Sequence, residues 1–207
     1  MSEGNIKVIA KNIITSSPYS IYLAGLYASI VTGDSMYTLF TLSAIIMGDG
    51  FNAIEKKIFK KFMGSDSVLG KRPFSCGNND IQDSVCTGCG IFPTSGMESH
   101  IWGMPSGHAQ ITSLAATFWS IYVWSLYIQE KDPQKKEKAY SHAITAISIM
   151  WILSLIVWTQ RVSSGCHSVP QICMGIIFGI IFGFVSYYIC TLLNKDMPKM
   201  LLSNTQS

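Results

Sequence analysis

The sequence predicts an all-α protein, a polytopic bundle of about five transmembrane helices, and three observations carry that prediction. Charged residues make up 13% of the 207 positions, where a soluble domain carries about 25%. Uncharged stretches long enough to cross a bilayer recur along the chain; Ala109 to Ile128 is one, 20 residues without a charge. The charged residues gather between these stretches and not within them. A net charge of +3, scattered along the chain, is too small to point to nucleic acid, and no nucleic-acid partner is expected. No internal repeat or low-complexity tract divides the sequence, so residues 1–207 read as a single membrane-embedded domain.

Five spans follow in order. Asn12 to Gly33 has no charge. The preceding residues, Met1 to Lys11, are too polar for a cleavable signal peptide, so this span is expected to act as an uncleaved anchor. Ser35 to Gly48 is apolar and reaches spanning length if counted through Ile54, with Asp49 near its end. Ala109–Ile128 is the third span, Ala143–Gln160 the fourth, and Ser168–Asn194 the fifth. In the fifth, Gly175, Gly179 and Gly183 fall every fourth residue. That spacing predicts a flat helix face for close packing against a neighbour.

Chemistry concentrates at the span ends. Met104-Pro105-Ser106-Gly107-His108 is a turn leading into the third span. The free backbone N–H groups and dipole of a helix start favour an anion. If all five segments cross, the long polar region Lys56–Gly103 and the short turn Arg161–His167 share one side. Arg72, Ser106, His108, Arg161 and His167 then converge at one membrane face, the expected active site. Ionisable groups at membrane depth are costly and mark function. Arginines hold a phosphate by paired hydrogen bonds. Of two histidines, one can attack phosphorus and the other can protonate the leaving oxygen.

These residues resemble a known pattern. Arg72-Pro73, then Pro105-Ser106-Gly107-His108, then Arg161 with five residues before His167 is similar to the three-part motif of the phosphatidic acid phosphatase type 2 superfamily, over a core of about 35–190. The resemblance implies hydrolysis of a phosphate ester or diphosphate, through a phosphohistidine and without a metal or other cofactor. It implies His167 as nucleophile and His108 as general acid. Arg72, Arg161, Ser106 and the Gly107 backbone would bind the phosphate.

Two positions depart from the pattern. The family's lysine seven residues before the arginine falls on Ser65; Lys61 is the expected substitute and Lys60 the reserve. The family's aspartate four residues after the nucleophile is here Gln171. A glutamine can orient the imidazole through its carbonyl oxygen but supplies no charge. Gly103-Met104-Pro105-Ser106 with Gln110, and His167-Ser168-Val169-Pro170-Gln171, narrow the resemblance to the dolichyl diphosphatase branch. That branch implies a polyprenyl diphosphate cut to its monophosphate at the lumenal face of the endoplasmic reticulum or another endomembrane. A broader phosphatase acting on phosphatidic acid-like monoesters is the alternative, and a silent anion- or partner-binding membrane protein a third.

Charge and cysteines bear on orientation. Four lysines in Gln129–His142, with Lys195 and Lys199, place those segments in the cytoplasm; Lys56, Lys57, Lys60 and Lys61 on the other side oppose this. Cys76, Cys86, Cys89 and Cys166 all fall on the active-site side. They are compatible with disulfides, with free thiols, or with a zinc site using Cys86, Cys89, Cys76 and His100.

Overall fold

A computed structural model describes residues 13–73, 89 and 102–198. The described residues form helices α1 (Ser17–Thr32) and α2 (Ser35–Ala44), a π-helical segment (Ile45–Gly50), and helices α3 (Phe51–Met63), α4 (Gly107–Gln129), α5 (Pro133–Ser163) and α6 (Val169–Leu193). Helices α4, α5 and α6 are each long and apolar enough to cross a membrane. The chain is therefore an all-helical membrane protein. Shorter α1 and the continuous run from α2 through α3 occupy the first two expected segments.

Local chemistry sets the boundaries. Gly33 closes α1 in the left-handed region at φ 69°, and the Asp34 carboxylate then caps α2 by accepting from the Met36 N–H at 2.8 Å. The second segment continues past Ile54, where the span was expected to end, to Met63. Its Asp49 is not a bare charge, because the Tyr22 hydroxyl donates to it at 2.9 Å. The extra residue per turn in the π-helical stretch re-aims α3.

Helix α5 also corrects an expectation. It begins at Pro133 and not near Ala143, so most of the Gln129–His142 loop is helix. The Asp132 carboxylate caps it, accepting from Gln134 N–H at 3.0 Å, and Pro133 suits a first helical position. Propensity and capping extend the helix beyond the apolar run that marks the span.

The glycine row of α6 does pack against α4. A Cβ on Gly175, Gly179 or Gly183 would come within 3.0 Å of Ser106 O, Gln110 O or Thr117 Cβ respectively. Away from this seam, Phe118 packs against Phe40 in a tilted contact and against Tyr187 edge-on, with centroids 4.9 and 5.4 Å apart. They form a buried aromatic core joining α2, α4 and α6. Both contacts hold the N-terminus of α4 beside that of α6.

Candidate active site

The turn between α5 and α6 builds the first half of the site. Arg161 lies in the last turn of α5, and its carbonyl accepts from both the Cys166 and His167 N–H groups at 3.1 Å. Gly165, at φ 69°, supplies the reversal that a residue with a Cβ resists. The five-residue spacing is thus one tight helix C-terminus, and it buries Arg161 and His167 together.

The His167 ring is held at both nitrogens. Nδ1 lies 3.2 Å from Gln171 Oε1, and Nε2 lies 3.2 Å from Arg72 Nη1. The Gln171 amide nitrogen donates to the carbonyls of Leu69, Gly70 and Lys71 at 3.0, 3.4 and 2.7 Å. Those three acceptors assign the amide orientation, so Oε1 is the atom facing His167. A carbonyl oxygen can only accept. The ring proton therefore sits on Nδ1, and the Nε2 lone pair faces the guanidinium. Burial holds His167 well below its ordinary pKa, and Arg72, Arg161, Lys56 and His108 push it the same way. The free ring is neutral, the state a nucleophile needs.

Gln171 also anchors the segment that carries Arg72. The Gly103 N–H donates to Gly70 O at 2.8 Å, and Lys71 bridges to Trp102. The Trp102 ring covers Gly70 so closely that a Cβ there would overlap it, and a Cβ at Gly103 would strike the Gln171 amide. These contacts place Arg72, whose Nη1 also donates to Cys166 O at 2.6 Å. Arg161 Nη2 donates to Cys89 O. Cys89 and Cys166 are joined in a disulfide, Cα–Cα 5.5 Å. Of the alternatives open for the cysteines, this commits Cys89 to a disulfide and removes it from a zinc site. Cys76, Cys86 and His100 lie outside the described residues.

The start of α4 supplies the second half. Ser106 is fully buried; its hydroxyl accepts from Ala109 N–H at 3.5 Å, and its own N–H donates to Gln171 O at 3.0 Å. Asn52 closes the turn from α3, donating to Gln110 Oε1 at 2.6 Å and Pro105 O at 3.4 Å. A Cβ on Gly107 would press against Asn52 Oδ1 at 3.1 Å. His108 Nε2 lies 3.0 Å from the Thr15 carbonyl, which places the His108 proton on Nε2. Arg161, Arg72 and Lys56 all act electrostatically on this ring.

The structure therefore brings His167, His108, Gln171, Arg72, Arg161, Ser106 and Gly107 together, but not Lys61. Lys61 is exposed in the last turn of α3. Lys56 acts electrostatically on both histidines. Lys56 is one helical turn beyond Asn52 and shares its face, whereas Lys61 lies roughly 140° further round the helix. Counting back from Arg72 could not find it. Arg72 and Glu55 both act electrostatically on Lys56. Asn52 and Thr15 also escaped sequence reasoning, because nothing in their neighbourhoods marks them.

The arrangement offers an unprotonated ring nitrogen, a second imidazole holding a proton, and three cations around them. That set fits in-line displacement at phosphorus. The family model described as the PAP2 superfamily matches residues 35–195. No curated protein and no solved structure matches the chain.

Proposed function

The chain belongs to the PAP2 superfamily and is a membrane phosphatase acting on lipid phosphates; from that premise we propose that it hydrolyses a polyprenyl diphosphate to the monophosphate through a phosphohistidine on His167. The observation that carries this reading is the His167 ring, with its proton directed to Gln171 and its lone pair to Arg72.

In the first step Nε2 of His167 attacks the terminal phosphorus, and the bond from phosphorus to the bridging oxygen breaks. Arg72, Arg161 and Lys56 neutralise the charge on the phosphoryl oxygens, with Ser106 and the Gly107 N–H as further donors. His108, an imidazolium once the phosphate is bound, gives its Nε2 proton to the departing oxygen and becomes neutral. In the second step water attacks the phosphorus, the P–N bond breaks, and His108 recovers a proton from that water. No metal enters either step.

Gln171 supports the diphosphate over the monoester. A carboxylate there would raise the basicity of His167 and stabilise positive charge on its ring. A neutral amide does neither, which suits a reaction with an easier leaving group. A lipid monophosphate departs more readily than an alkoxide. The Cys89–Cys166 disulfide supports an oxidising, lumenal side for the site, in the endoplasmic reticulum or a related membrane.

The test is phosphate release from a polyprenyl diphosphate and from phosphatidic acid, in one detergent, with EDTA throughout. Wild type is expected to favour the diphosphate and to retain activity in chelator. His167→Ala should form no acid-labile phosphoenzyme. His108→Ala should slow alkoxide release far more than nitrophenolate release. A divalent-ion requirement, or phosphoenzyme in His167→Ala, contradicts the mechanism; preference for phosphatidic acid replaces the substrate.

A further inference from the structure

We propose that the apolar groove bounded by α1, α2, α4 and α5 is the berth of the substrate's lipid tail, and that it holds one isoprenoid-type chain beginning at His108. This rests on the phosphatase reading above and deepens it.

The groove encloses about 590 Å³, within the ~300–1,000 Å³ of small-ligand sites. Its floor is made of small residues, among them Gly25, Ala115 and Ala116, and its far end of Tyr37 and Trp119. No charged side chain lines it. Such a surface suits hydrocarbon and rejects a headgroup. From Ser17 to Ala28 it follows α1 for roughly 17 Å at 1.5 Å per residue, an elongated shape that suits a single chain.

Its near end lies beside His108. Thr15, whose carbonyl meets His108 Nε2 at 3.0 Å, is flanked by the lining residues Ile14 and Ser17. Thr112, another lining residue, donates its hydroxyl to His108 O at 2.8 Å and accepts from Trp158 Nε1 at 3.0 Å. The chemistry then chooses the occupant. A general acid protonates the oxygen that leaves, and the leaving fragment carries the tail. The tail must therefore emerge beside His108 and not beside His167. On α4 the lining starts at Thr112, one turn from His108, and ends seven residues further at Trp119. In the same view, the Thr15 carbonyl holds the His108 proton where the leaving oxygen arrives.

The experiment uses the full chain in nanodiscs with a diazirine-bearing farnesyl monophosphate as probe, and the crosslinked peptides are mapped by mass spectrometry. Labelling is expected in residues 21–28 or 150–157, with at least a tenfold drop under excess unlabelled polyprenyl phosphate. In parallel, Ala24→Trp combined with Ala28→Trp fills the groove. It should lower the ratio of kcat/KM for a long-chain to that for a five-carbon diphosphate by tenfold or more. Labelling that ignores the competitor identifies a crevice filled by ordinary membrane lipid and overturns the proposal. Hydrolysis with no labelling in these helices overturns it too, as does an unchanged chain-length ratio. Competable labelling without hydrolysis by wild type would leave the groove standing and overturn the proposed function instead.

Discussion

At the scale of a residue, Gln171 is the position where two requirements meet. Its oxygen accepts from His167 Nδ1 and from the Ser168 N–H, and its nitrogen serves three carbonyls of the Arg72 segment. An aspartate would satisfy the first requirement and defeat the second, because a shorter carboxylate would turn an acceptor toward acceptors. A buried carbonyl left without a donor costs ~1–3 kcal/mol. Gln171→Asp is therefore expected to lower kcat/KM about 10- to 100-fold on any phosphate substrate, by loosening Arg72. The loss should appear mainly in KM, and the acid limb of the pH profile should move upward as the new charge raises His167. A variant with wild-type KM would show that the three carbonyls do not position Arg72. The sequence displayed the missing aspartate plainly. It could not display the carbonyls, since backbone acceptors carry no residue identity.

At the scale of an element, the α4–α6 seam joins packing to chemistry. Gly175 sits against Ser106 O, while Gly183 sits two turns deeper against Thr117. Gly175→Ala and Gly183→Ala should each destabilise the protein by about 1–3 kcal/mol through overpacking, read as a lower thermal midpoint in detergent. Gly175→Ala should also lose activity, because it displaces the start of α4; Gly183→Ala should retain wild-type kcat/KM. Equal activity in both would show that the seam is structural alone. The glycine row was legible because a four-residue spacing has one packing consequence. The span limits were legible less well. Apolar runs report where lipid would be, whereas capping by Asp132 and Pro133 decides where α5 begins. Counting along the chain from Arg72 leads to Lys61, which is exposed, because the turns from Gly64 to Gly70 intervene between α3 and the Arg72 segment.

At the scale of the whole molecule, α5 is longer than the membrane is thick. Its 31 residues extend roughly 46 Å at 1.5 Å per residue, against a hydrocarbon core of about 30 Å. The surplus is about ten residues, and its first turns hold Lys135, Lys136 and Lys138. Arg161 is pinned to the catalytic face at the other end, so the overhang must project from the opposite face as a rigid basic post. Its amines are then reporters of sidedness: Lys135 is 73% exposed. With the proposed lumenal site, a membrane-impermeant amine reagent added to sealed vesicles of cytosol-side-out orientation should modify Lys135, Lys136 and Lys138 from outside. Lys57 and Lys61 should react only after permeabilisation. The reverse pattern would turn the catalytic face to the cytosol and move the substrate pool to the other leaflet. A helix that outgrows its bilayer thus records, in which amines a reagent can reach, the leaflet from which the enzyme draws its lipid.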